Sequence, residues 1–243
     1  VPVKHLLVAD VRAERLDELR KLYGVHLAAD NVTLVRRADV VILAVKPQIL
    51  REVLEEIAPA TPGKLLVSVA AGVATGEIRR HLPPGTRLIR VMPNTPALVL
   101  EGATAIAHAA GLADGDLDTA RQIFEAVGRA VVLDEEMMDA VTGLSGSGPA
   151  YIALVVEALA DGGVRVGLDR KTAMTLAMQT VLGAARLLID TGMHPGQLKD
   201  MVSSPGGTTI AGIHTLEAGG LRRTLIDAVE RATQRSRELG EGR

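Results

Sequence analysis

The chain has 243 residues, enough for one large domain or two modest ones, and 47% of them are hydrophobic, which supplies a real core. A net charge of −2 with Lys and Arg scattered along helical segments gives no basic stripe for nucleic acid, and zero Cys excludes disulfides, thiolate metal sites and cysteine nucleophiles, as suits a cytoplasmic protein. Aromatic residues are 1% of the chain, so base-stacking platforms are excluded, and no membrane span is expected because Glu157 and Asp161 interrupt the longest apolar run.

Residues 5–10 are a short apolar run ending in Asp10, and Leu16, Leu19 and Leu22 then recur at helical spacing. Residues 25–28, 31–37 and 39–45 repeat the alternation, the last as a continuous apolar strand of the kind a sheet covered on both faces requires. Pro47 opens a helix through Ile57, and residues 64–69 and 87–92 add two strands with a helix between them. Residues 102–107 and 130–133 are strands around a helix over 114–127. This order predicts an α/β fold, a doubly wound Rossmann-type sheet, over residues 1–134.

Ligands of such sheets sit beyond the carboxyl ends of the strands, so Ala44 to Pro47, Ala70 to Gly72 and Met92 to Pro96 are expected to line one crevice. Small residues at two of these ends admit a flat ring. Lys46 is either a phosphate or ribose contact or a solvated lysine at a helix start. Asp10 is placed to accept from an adenine ribose 2′-OH, which favours NAD, while Arg12 beside it favours a 2′-phosphate and NADP; both cofactors stay open. A dinucleotide fold begins with a strand, a G-x-G-x-x-G turn and a helix, and nothing before His5 forms this unit in a chain that opens on Val. The expectation is a first βα unit lost or lying outside this sequence. A gap in the sheet with two open edges, weak dinucleotide binding and lower stability than a full-length parent would follow.

From residue 135 the strands stop. Asp134, Glu135 and Glu136 open a helix, where the dipole favours acids. Residues 142–149 are rich in Gly and Ser but lack the lysine of a phosphate loop and follow a helix; they read as a close-packed junction, with Pro149 opening the next helix. Residues 150–166, 171–190 and 221–239 are helical, and the apolar bands of the first two are too broad for one face of a monomeric surface helix. They predict an all-helical dimerisation domain, residues 135–243, with an interface above roughly 2,000 Å². The six His residues have no ligand spacing, so no metal is expected, and His194 caps a short segment opened by Pro195.

Pro205, Gly206 and Gly207 then break one helix, and Ile210, Ile213 and Leu216 start another. Ser204 and the amides of Gly206, Gly207 and Thr208 therefore form either a carboxylate or phosphate seat at a helix N-terminus or an ordinary capped turn.

This signature follows Ala44-Val45-Lys46-Pro47, Ser68-Val69-Ala70-Ala71-Gly72-Val73, Met92-Pro93-Asn94-Thr95-Pro96, Glu101-Gly102-Ala103 and Thr142-Gly143-Leu144-Ser145-Gly146-Ser147-Gly148-Pro149-Ala150-Tyr151. In that order the motifs resemble the pyrroline-5-carboxylate reductase family over nearly the whole chain. The resemblance implies reduction of the cyclic imine 1-pyrroline-5-carboxylate to L-proline with NADPH or NADH. Positions matching its cofactor contacts are Asn31, Val45, Lys46, Pro47 and Ala71, and Asp10, Ala44, Ala70, Asn94 and Met201 complete the expected set. The substrate set is Glu135, Ser204, Gly206, Gly207, Thr208 and Thr209, with Thr209 the catalytic residue that bonds the ring nitrogen. A homodimer with interleaved helical domains is implied, often assembled further into a ring such as a decamer of dimers. Two rivals remain: a hydroxy-acid dehydrogenase, which would need a Lys or His base in the helical half, where Lys171 and Lys199 are the only lysines, and an inactive oligomerisation partner lacking the pyrophosphate-binding unit.

Overall fold

In the computed structural model, which describes residues 1–241, the apolar runs of the first half alternate as strand and helix. Leu7–Val8 (β1), Ala13–Tyr23 (α1), His26–Leu27 (β2), Asn31–Arg37 (α2), Val40–Leu43 (β3), Pro47–Ile57 (α3), Leu65–Ser68 (β4), Thr75–Arg79 (α4) and Arg87–Met92 (β5) follow in turn. Asp30 caps α2 by accepting from the Thr33 N–H at 2.6 Å, and Pro47 opens α3 where its missing N–H has no helical partner to lose. Gly102–His108 (β6), Asp116–Glu125 (α5), Gly128–Asp134 (β7) and the short Met138–Val141 (α6) complete the series.

Five strands make one sheet in the order β3-β4-β5-β6-β7, with β4 buried at all four positions. Alternate residues serve opposite faces. Val41, Leu43, Leu66 and Leu88 pack with Leu50, Leu54 and Ile57 of α3, while Leu65, Val67, Ile89, Val91 and Ile106 pack with Ala120 and Phe124 of α5. β3, β4 and β5 are parallel, but β6 runs antiparallel to β5, since the connection over 93–101 holds only the 3₁₀ turn Thr95–Val99 and is too short for a crossover helix. β6 and β7 touch so closely at Gly102 and Gly128 that a Cβ on Gly128, at φ 151°, would lie 2.0 Å from the Gly102 oxygen.

The gap expected in the sheet is present: β1 and β2 form a separate two-stranded parallel sheet. Between β1 and β3 lies a cavity of about 490 Å³, walled by Val35, Val41, Leu43, Val53 and Ile57 and entered past Asp10 and Arg12. The uncovered neighbours feel it. Ile42 on the edge strand is 45% exposed, and α1 buries none of its residues because the sheet it packs on is only two strands wide.

Gly148–Arg165 (α7), Arg170–Thr191 (α8), Pro195–Met201 (α9), Thr208–Ala218 (α10) and Leu221–Glu241 (α11) form the second half. The chain divides into Val1–Gly146 with the stretch from Thr233 onward, and Ser147–Ala232, so the compact units part later than the expected break after residue 134 and the end of α11 belongs to the first. In the second unit α7 meets α8 through small residues: Ala160, Ala173 and Ala177 are buried, and a Cβ on Gly163 would stand 3.0 Å from that of Ala173. The large apolar side chains point away, with Leu154, Leu176, Leu182 and Ile189 each at least half exposed. Contrary to the expectation from Glu157 and Asp161, two helical stretches, Glu135–Arg165 and Arg170–Thr191, are long and apolar enough by length and composition to cross a membrane.

The slot between β1 and β3 has apolar walls and an open strand edge that would accept a further parallel strand. Fusing a strand, glycine turn and helix ahead of Val1 is expected to raise the melting temperature by roughly 2 to 8 °C, the shift that about 1 to 2 kcal/mol makes for a chain of this size. An unchanged midpoint in scanning calorimetry would show that the slot does not seat a strand.

Candidate functional site

The parallel run β3-β4-β5 brings the ends of three strands to one side of the first unit, and these ends carry Ala44 to Pro47, Ala70 to Gly72 and Met92 to Asn94. Asp10, Asn31, Ala44, Val45 and Lys46 line the 490 Å³ cavity together. Asp10 accepts from the Arg12 N–H at 2.8 Å, and this bond, reinforced by the guanidinium, holds its carboxyl below the ordinary range. It is therefore a ready acceptor for a ribose hydroxyl with a cation beside it. Asn31 donates to Glu56 at 2.8 Å, while Lys46 is exposed at the N-cap of α3 and Pro47 occupies its first turn. Ala70 is buried and Ala71 exposed, with Gly72 at φ 71° turning the chain toward α4. These residues suit the two ends of a nicotinamide dinucleotide. A glycine-rich turn between strand and helix, which would cradle its pyrophosphate, is not among the described elements.

Two of the expected ligand contacts also bond within the protein. The Asn94 amide donates to the Ser145 carbonyl at 3.0 Å and accepts from the Ala103 N–H at 2.8 Å, so one side chain ties three of the sequence motifs together. Glu135 accepts from the Thr75 N–H at 2.7 Å and from the Thr75 hydroxyl, and it pairs with buried Arg90 at 3.4 Å. Ala74 offers α4 no side-chain cap, and Glu135 supplies the missing acceptor from 60 residues along the chain. Both Glu135 oxygens accept from protein donors, so a substrate contact would share this carboxylate with Thr75 and Arg90. Arg90, Asp139 and Ser236, which complete this polar cluster, carry no sequence signal, because nothing local foretells that a strand arginine and a late-helix serine are buried.

The second unit contains the other half of the predicted set. Residues 204–207 form a type II turn: Pro205 and Gly206 are the central residues, Gly206 has φ 65°, and the Gly207 N–H donates to the Ser204 carbonyl at 3.0 Å. A Cβ at position 207 would lie 2.3 Å from Ser204 Oγ, so any other residue there would have to turn the serine hydroxyl aside. Gly207 caps α10 without a side-chain acceptor, and among the described residues the amides of Thr208, Thr209 and Ile210 and the Thr209 hydroxyl meet no protein partner. Upstream, His194 Nδ1 accepts from the Gly196 N–H at 3.0 Å, so this histidine is the expected cap of α9. Met201 ends that helix, 61% exposed. Lys199 pairs with Asp200 at 2.6 Å. No group of three metal-ligating side chains occurs among the described residues.

A family profile described as pyrroline-5-carboxylate reductase dimerisation matches residues 135–239, and one described as NADP oxidoreductase, coenzyme F420-dependent, matches residues 3–72. The dimerisation match takes in both long apolar helical stretches. The chain is 51% identical to pyrroline-5-carboxylate reductase of Methanosarcina acetivorans over 99% of its own length and 90% of the relative's. Among solved structures, the Coxiella burnetii pyrroline-5-carboxylate reductase superposes with a TM-score of 0.93 at 39% identity, covering 97% of this chain and 88% of that one. The Plasmodium falciparum pyrroline carboxylate reductase with NADP bound does so with a TM-score of 0.84 at 32% identity, covering 96% and 86%. With half its residues shared across nearly its full length, this chain belongs to the pyrroline-5-carboxylate reductase family.

Proposed function

We propose that this chain reduces 1-pyrroline-5-carboxylate to L-proline with a nicotinamide dinucleotide as reductant. The observation that carries this reading is the uncapped N-terminus of α10, where free amides of Thr208, Thr209 and Ile210 stand behind a glycine turn that no side chain blocks. Such a terminus suits the substrate carboxylate, with Ser204 at its rim. The Thr209 hydroxyl, beside that seat, bonds the ring nitrogen and keeps the protonated imine oriented. Asp10, Asn31, the end of β3 and residues 70–72 would hold a reduced dinucleotide, whose chemistry would be supply of the hydride. The imine carbon gains it, the C=N bond becomes a single bond, and the nitrogen keeps its proton. No covalent nucleophile is needed.

A hydroxy-acid dehydrogenase would need a free base in the helical half, and the Lys199 ammonium is already held by Asp200. The exposed apolar faces of α7 and α8 support a homodimer as the working unit, with larger rings built from it.

Thr209→Ala is expected to lower kcat/KM for pyrroline carboxylate by roughly tenfold to a hundredfold with an unchanged circular dichroism spectrum, since it removes one charge-assisted contact. Nicotinamide absorbance follows the reaction, and parental activity in the variant would refute the role. Asp10→Ser removes the carboxylate that repels a 2′-phosphate, so the NADPH to NADH ratio of kcat/KM should rise by about tenfold; a ratio that stays put would remove Asp10 from cofactor selection. Leu182, 60% exposed on α8, is expected to be covered by a second copy, and Leu182→Glu should shift sedimentation from dimer to monomer, whereas an intact dimer would place the interface elsewhere.

A further inference from the structure

The turn over residues 70–74 is fixed at Ala70 and Val73, which are buried in the core, while Ala71 and Gly72 between them carry little or no side chain. Alanine and glycine dominate it, Gly72 adopts φ 71°, and fixing each backbone residue costs roughly 1 to 2 kcal/mol of entropy. Two separate elements support it further from outside. On one side Glu135, leading into α6, takes both donors of Thr75, and Arg90, 6% exposed on β5, braces that carboxylate. On the other, Ser236 of α11 donates to Asp139 Oδ1 at 2.6 Å and is 5% exposed, on a stretch of helix whose neighbours Arg235 and Arg237 are exposed. This bond joins residues 97 apart in sequence and seats the end of α11 so that a Cβ on Gly240 would stand 3.6 Å from the Gly72 carbonyl oxygen. A cavity of about 240 Å³ lined by Gly72, Ala74, Arg90, Asp139, Arg237 and Gly240 runs between these two supports.

We propose that Glu135, Asp139 and Ser236 are positioning residues, a two-sided clamp that sets the backbone of residues 70–72 for the cofactor, with the end of α11 as its second jaw. The proposal rests on the reading that residues 70–72 contact the dinucleotide, and it gives Glu135 a role that needs no substrate contact. None of the three touches the reacting atoms. They act through the turn, where a displacement of about 1 Å is enough to cost ~10²-fold in rate.

Ser236→Ala, Ser236→Thr and Glu135→Gln in the whole chain test it by hydrogen exchange and NADPH binding. In Ser236→Ala and Glu135→Gln the amides of residues 70–76 are expected to exchange roughly threefold to tenfold faster, the effect of losing one hydrogen bond, while Val41 and Leu66 in the sheet keep their protection. Ser236→Thr, which keeps the hydroxyl, should return residues 70–76 toward the parent. The NADPH dissociation constant should rise by a similar factor in the first two variants, read from cofactor fluorescence in a chain that has no Trp. Unchanged exchange at 70–76 in Ser236→Ala overturns the clamp, as does a rise shared equally by β3 and β4, which would mean general loosening. Faster exchange with unaltered NADPH affinity overturns the link to the cofactor. A parent that shows the exchange pattern but fails to reduce pyrroline carboxylate would sink the proposed reaction and leave the clamp standing.

Discussion

The burial of β4 on both faces is the constraint from which the first unit follows. With Leu65 and Val67 turned to α5 and Leu66 to α3, the strand has no solvent face, and its backbone groups are satisfied only by parallel ladders to β3 and β5. Parallel pairing forces crossovers, and crossovers of one hand put successive strand ends on the same side. That is why three motifs far apart in sequence converge.

The sheet's other end shows what an interrupted ladder costs. β3 has one strand neighbour instead of two, Ile42 turns into solvent, and α1 finds too little sheet to cover its leucines. Asp10 and Arg12 are nevertheless held together by their own local geometry and need no strand beside them. Elsewhere polar residues tie distant segments together: Glu135 caps a helix that lacks its own cap, and Asn94 joins Ala103 of β6 to the Ser145 carbonyl with one amide.

The helical unit reverses the usual placement of side chains. Alanines and glycine make the contact within the α7–α8 pair and the leucines face outward, so the pair is closely packed yet leaves its largest apolar groups uncovered. Within a single chain that arrangement is costly in water. In a dimer it becomes the interface, which accords with the dimerisation profile over the same residues.

Local chemistry determined much of this protein from its residues alone. Continuous apolar runs, Pro at helix starts and glycine at αL positions dictate β3 to β5, the start of α3 and the turn before α10, because each depends on neighbours a few residues away. The cap by His194 was legible for the same reason, as was the gap beside β1, since a dinucleotide fold has a fixed strand order. Tertiary structure decided the rest. The reversal of β6, the parting of the units at Gly146, the binding of Glu135 to Thr75 and the pairing of Ser236 with Asp139 all depend on groups distant in sequence, and no local pattern encodes which buried acceptor a distant donor will find.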